Sequence, residues 1–237
     1  MTQNPYGQYA APSQLGVRPD ARLAQAFITQ SFFWMFLGLL VTTAVGVMIA
    51  SIPAATLEKY AGLVLPLIII QLVVAFSLTL AIQKISATVG LLLFFVYAAL
   101  TGVTLGFVLL TYQLGSILAA GSSAAAVFGA AAIYGAVTKR NLQGIGPYLF
   151  MGLIGIIVAS LVNMFIGWDT LSFAISVVGV VIFTGLTAYD VQKIQSGAVA
   201  AWTRSMEKGA VMGAFMLYLD FINLFFMMLR LFGGGRG

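Results

Sequence analysis

The 237-residue chain contains no cysteine and no histidine. Their absence excludes disulfides, thiolate and imidazole nucleophiles, c-type haem attachment and the usual zinc and copper sites. Charge is the second scarcity: 7% of the residues are Asp, Glu, Lys or Arg, against about 25% in an ordinary soluble protein. With 61% hydrophobic residues and a mean hydropathy of +1.06, no soluble domain is left to assign. The composition is that of an integral membrane protein whose first partner is the lipid bilayer. A formal charge of +5 would point to nucleic acid in a soluble protein. Spread over membrane loops it reports orientation instead, and no nucleic-acid partner is expected.

The polar tract is confined to residues 1–30, rich in Gln, Pro, Tyr, Gly and Ala, and it reads as a mobile cytoplasmic tail. It lacks the basic segment and short apolar core of a cleavable signal, so the first span is expected to direct insertion. Residues 31–232 then form one membrane domain, and 233–237 a Gly-rich end. Spans of about 20 apolar residues fit at 32–50, 61–82, 88–110, 114–137, 147–167, 171–190 and 209–231. Pro147 suits the first turn of a helix, where an amide hydrogen is not needed, whereas Pro66 falls inside the second span and predicts a bend there. Residues 191–208 read as the longest connection. Glu58, Lys59, Asp169 and Glu207 read as solvated loop charges.

With the N-terminus in the cytoplasm, Arg18, Arg22, Lys84, Lys139, Arg140, Lys193, Arg204 and Lys208 lie inside, and Lys59, Arg230 and Arg236 outside. That asymmetry follows the positive-inside rule. A six-span arrangement with a re-entrant last segment is the competing topology. Gly102-x-x-x-Gly106 and Gly209-x-x-x-Gly213 offer close helix approach, although ordinary packing explains most such pairs. Gln71, Thr101, Thr104, Tyr134, Ser160 and Asn163 are read as interhelical hydrogen-bonding groups. Tyr97, Tyr189, Tyr218 and the three Trp residues are for the most part read as interface anchors or packing, and Met212, Met216, Met227 and Met228 as core filling.

Two acids stand out, Asp190 ending the sixth span and Asp220 inside the seventh. A carboxylate at a span centre costs about 2.5–3.5 kcal/mol on insertion scales, so it is expected to face a partner or water and to mark an ion or proton path. Gly213, Asp220, Asn223 and Met227 share one helical face, as do Phe183, Leu186, Thr187 and Asp190. If the faces meet, the carboxyl groups can share one proton and titrate as a unit. Protonated, the pair joins two helices by a hydrogen bond; doubly ionised, it repels and admits a cation. Depth argues less simply: Asp190 lies about 28 Å from Leu171, near the membrane edge, and Asp220 about 16 Å from Gly209, nearer the midplane. Asp190 also has a plainer reading, an ion pair with Lys193 one turn on. An intramembrane protease would need a Ser with a general base, a Gly-x-Gly-Asp context or zinc. None is present, so no enzymatic activity and no cofactor are expected.

Thr187-Ala188-Tyr189-Asp190-Val191-Gln192-Lys193-Ile194 and Leu217-Tyr218-Leu219-Asp220-Phe221-Ile222-Asn223-Leu224-Phe225 together resemble the paired signature of the transmembrane Bax-inhibitor-motif family. Thr138-Lys139-Arg140-Asn141-Leu142 is similar to a third block, departing from it at Asn141, where members often carry an acid. The resemblance spans about residues 25–231, and the short loops and compact tail point to a bacterial member. The implied fold class is all-α: a polytopic seven-helix bundle with the last helix central. The implied function is a proton-regulated calcium leak gated by Asp190 and Asp220, with Tyr189, Tyr218, Thr187, Lys193 and Asn223 in support. Calcium takes about six to eight oxygen ligands, so two aspartates, Asn223, backbone and water would hold it only weakly and transiently, as permeation requires. The expected function is thus a pH-sensitive calcium or general cation leak in a bacterial cytoplasmic membrane. The alternative is a non-conducting regulator that binds membrane proteases or stress and cell-death proteins through the tail.

Overall fold

A computed structural model of the chain describes residues 21–233. Among them the helices are α1 (Ala21–Ala50), α2 (Ala54–Leu57), α3 (Val64–Ala81), α4 (Ala87–Leu109), α5 (Leu114–Val137), α6 (Gly146–Ile166), α7 (Asp169–Gln195), α8 (Ala198–Thr203) and α9 (Met206–Gly233). Turns of 3-10 helix, Glu58–Leu63 and Leu142–Ile145, lead into α3 and α6. Seven of the resulting rods are long and apolar enough to cross a membrane. The protein is an all-α polytopic membrane protein. The unbroken 28-residue α9 is about 42 Å long, which removes the re-entrant alternative.

Helix α9 is the axis of the bundle. It packs against α1, α4, α5, α7 and α8, and 72% of its most apolar stretch is buried, against 11% for Ala54–Ala81 and for Leu142–Ile166. Lipid is as apolar as leucine, so helices associate in a bilayer through close packing and polar contacts rather than through a hydrophobic drive. Glycine supplies that closeness. A Cβ at Gly102 would lie 2.7 Å from the Thr42 carbonyl oxygen, and one at Gly106 2.5 Å from Ile49 Cβ, which places the α4 backbone directly against α1. On α9, a Cβ at Gly209 would come within 2.8 Å of the Ala200 backbone, and one at Gly213 within 2.7 Å of Ser31 Oγ. Both small-residue pairs therefore lie at close helix contacts.

Three boundaries differ from expectation. Residues 1–20 of the predicted tail, like 234–237, lie outside the described residues, but 21–30 are helix rather than tail. The reason is local: Phe27 and Ile28 are buried, and Phe27 reaches Gly209 at the start of α9. Pro66 does not bend a helix interior, because it sits in the first turn of α3, just after the 3-10 segment, where no amide hydrogen is required. Pro147 occupies the equivalent first turn of α6, as expected. The supposed long connection 191–208 is mostly helical, since α7 runs on to Gln195 and α8 intervenes. Glu58, Lys59, Asp169 and Glu207 are solvent-exposed as expected, but on helical turns rather than loops. Asp169 and Glu207 open α7 and α9, where negative charge complements the helix dipole.

Chain reversals are made by short polar caps. Ser86 Oγ accepts from Val89 N at 3.2 Å to start α4. Gly167 ends α6 in the left-handed conformation with φ 72°, and Asn163 Oδ1 accepts from Trp168 N at 3.0 Å across that turn.

Candidate functional site

Helices α7 and α9 run antiparallel, and their contacts set the register of the two acids. Gly213 meets Ile194, and Gly179 meets Met227. On this register Asp220 lies opposite Leu186 and Thr187, about one helical turn (~5 Å) along the axis from Asp190. The depth difference counted from sequence shrinks to that one turn because α7 continues past Asp190 to Gln195 and α9 begins before Gly209. The two carboxyl groups lie within electrostatic reach of each other. Both are buried, Asp190 at 7% and Asp220 at 4% exposure. Asp220 Oδ2 has no hydrogen-bond partner among the described residues.

Helix α5 packs against both α7 and α9. Gly135 brings its backbone onto the Ala188 carbonyl, and Phe128 meets Phe221 edge-on at 5.5 Å between ring centres. Helix α1 contributes Phe32, which packs on Phe128 at 6.3 Å, and Ser31, which meets Gly213. Among the described side chains of α1 and α5 none is charged. The cation that acts on Asp190 is Lys193 on its own helix. Its ammonium lies over the Tyr189 ring, 5.5 Å from the centroid, and no ion pair with Asp190 forms among the described residues.

The supporting residues disperse. Thr187 shares the buried face of Asp190, but its hydroxyl donates to the Phe183 carbonyl at 2.8 Å. Asn223 is partly buried, and its Nδ2 donates back to the Leu219 carbonyl at 2.8 Å. Tyr189 turns the other way, packing on Gly146 of α6. Tyr218, wholly buried, faces α1 and α4, where its hydroxyl meets Thr42 Oγ1 at 2.6 Å. Phe94 and Tyr97 meet the Tyr218 ring edge-on, and Phe215 packs edge-on against both of them. Beyond them Gln71 Nε2 on α3 donates to Thr104 Oγ1 at 2.6 Å. Gln71, Thr101 and Thr104 thus bridge helices as read from sequence. Thr42 was not singled out there, because Thr42-Thr43 in an apolar run does not tell which hydroxyl faces another helix.

Gln192 also escaped the reading by residue type. Its Oε1 accepts from Leu142 N, and its Nε2 donates to the Arg140 carbonyl, both at 2.8 Å. It thereby ties the α5–α6 loop to α7 half a turn from Asp190. In the same loop Asn141 Oδ1 accepts from Gln143 N at 2.9 Å, a capping role an acid would also fill. No group of three or more His, Cys, Asp or Glu residues able to hold a metal occurs among the described residues.

A sequence profile described as inhibitor of apoptosis-promoting Bax1 matches residues 24–237. The chain belongs to the Bax inhibitor family. It is similar to the inner membrane protein YbhL of Escherichia coli, with 43% identity over 225 residues, 93% of this chain and 96% of the relative. A protein of Deinococcus radiodurans is 36% identical over 87% of this chain and 90% of its own length. One from Borreliella burgdorferi is 44% identical over 72% and 74%. In this Bax inhibitor protein, the two resemblance-bearing aspartates are the acids that α7 and α9 bury about one helical turn apart.

Proposed function

We propose that this protein is a proton-sensitive cation leak, with calcium as its permeant ion, in a bacterial inner membrane, and that Asp190 and Asp220 gate it. The observation that carries the reading is Asp220: a carboxyl group buried on the central helix, with one oxygen unpartnered and Asp190 on the neighbouring helix within electrostatic reach. Burying a polar atom without a hydrogen bond is costly, and an intramembrane acid retained at that cost marks an ion or proton path. The similarity to an Escherichia coli inner membrane protein supports the location. The gathering of Lys84, Lys139, Arg140, Lys193, Arg204 and Lys208 at one end of the bundle supports a cytoplasmic N-terminus.

The mechanism follows from charge. With the pair protonated, α7 and α9 stay packed without charge repulsion, although among the described residues no hydrogen bond joins the two carboxyl groups. With both ionised they repel at low dielectric, separating the helices and attracting a divalent cation. The sign is set: proton binding closes, so calcium flux increases as pH rises. Protein reconstituted in vesicles containing a calcium-sensitive dye should show this rise, and Asp220→Asn and Asp190→Asn should each abolish the pH dependence. Flux that ignores pH, or that is unchanged in both variants, refutes the assignment.

A further inference from the structure

The end of the bundle where α3, α5 and α7 finish carries six described cations, Lys84, Lys139, Arg140, Lys193, Arg204 and Lys208, with Glu207 as its exposed acid. They divide into two groups. On one side Lys208 Nζ is engaged, donating to the Gln83 carbonyl at 3.0 Å, and Gln83 Nε2 donates to the Trp202 carbonyl at 3.0 Å. On the other, Lys139 and Arg140 are exposed, and their side chains make no ion pair or hydrogen bond among the described residues. Lys193 is brought to the same side by its neighbour Gln192, which donates to the Arg140 carbonyl, and rests over the Tyr189 ring, which itself packs on Gly146 at the start of α6.

The loop carrying Lys139 and Arg140 is held in place. Gln192 grips it at the Arg140 carbonyl and the Leu142 amide, the Arg140 amide donates to Thr138 Oγ1 at 3.3 Å, and the Gln143 amide donates to Asn141 Oδ1. These amides are occupied, so an anion arriving here meets side-chain cations on a fixed frame. Tyr134 near the end of α5 and Tyr148 in the first turn of α6 are 48% and 70% exposed, the placement of rings that anchor at headgroup depth.

We propose that Lys139, Arg140 and Lys193 form a binding site for the phosphate headgroup of an anionic phospholipid, seated at the membrane edge where α5, α6 and α7 meet. Basic pockets between transmembrane helices recognise such headgroups, and each Lys or Arg near the surface contributes measurably. A phosphate accepts several charge-assisted hydrogen bonds at once, which an arginine beside two lysines supplies. Tyr134 and Tyr148 would flank the glycerol region, and the exposed apolar face of α6, with Phe150 and Met151, would take the acyl chains. Gln192 is a positioning residue: it touches no lipid but holds the loop.

The test is native mass spectrometry of the full chain, extracted in mild detergent and titrated with phosphatidylglycerol or phosphatidylcholine. Phosphatidylglycerol should be retained over phosphatidylcholine. The double variant Lys139→Gln/Arg140→Gln should weaken that retention by about 25-fold, from about fivefold per cation. The control double variant Lys84→Gln/Arg204→Gln removes equal charge from the same end but outside the α5–α6–α7 edge, and should leave retention within about twofold, a change of under about 0.5 kcal/mol. Lys139→Arg should bind like the parent. Equal losses in the two doubles would reduce the effect to general surface charge and overturn the site. Inorganic phosphate that competes as tightly as the lipid would assign the site to a soluble anion and overturn the lipid. Neither outcome depends on ion flux, so this proposal and the leak reading fail separately.

Discussion

The Tyr218–Thr42 contact permits a quantitative test of how α9 is held in the bundle. Thr42 Oγ1 has one proton and two carbonyls in range, Ala98 at 2.9 Å and Gly38 at 3.1 Å. That proton is committed to backbone, so Tyr218 must donate across the 2.6 Å contact. Thr42 is 1% and Tyr218 0% exposed, and no water competes. Tyr218→Phe removes a donor and leaves nothing orphaned, because Thr42 keeps its bond to Ala98. The loss should be that of one interhelical bond in a membrane protein, about 0.6–1.7 kcal/mol. Thr42→Val instead removes the acceptor at 2.6 Å and leaves the buried Tyr218 hydroxyl only Thr101, whose own hydroxyl already donates to the Tyr97 carbonyl, costing about 1–3 kcal/mol for the poorly satisfied group. The double variant removes both partners and should be no less stable than Thr42→Val alone, giving a coupling at least as large as the Tyr218→Phe loss, about 0.6–1.7 kcal/mol. Reversible unfolding in mixed micelles, followed by tryptophan fluorescence and circular dichroism, measures all three. Additive losses, or Tyr218→Phe costing more than Thr42→Val, would refute the donor assignment and the closed polar bridge between α1, α4 and α9.

Other outcomes follow from the same packing. Gly135→Ala places a methyl group against the Ala188 carbonyl and should destabilise the bundle by about 1–3 kcal/mol as α5 is forced off α7, read by thermal unfolding. Gln192→Leu removes both bonds to the α5–α6 loop, and trypsin should then cleave after Lys139 or Arg140 at least several-fold faster. Asp220→Leu removes the unpartnered buried oxygen and should raise unfolding stability by about 1–3 kcal/mol while abolishing pH-dependent flux, the usual opposition of stability and function at a strained site.

Much of this architecture was legible before any coordinates. The spans and the isolation of Asp220 follow from apolar runs and the cost of charge in lipid. Misplaced ends share one cause. Residues 21–30 and 191–195 are mixed in polarity, so a window that averages hydropathy ends at their edge, whereas the backbone continues as helix because Phe27 and Ile194 have buried sites against α9 to fill.

Sequence alone determined that the chain is a seven-span helical membrane protein carrying two exceptional acids, because apolar length and intramembrane charge are properties of local segments. Tertiary structure decided the rest. It set the register that brings Asp190 within a turn of Asp220, turned Tyr189 and Tyr218 away to separate partners, and gave Gln192 its loop. Those outcomes depend on which small residues let two backbones touch, a relation between distant segments that no single segment contains.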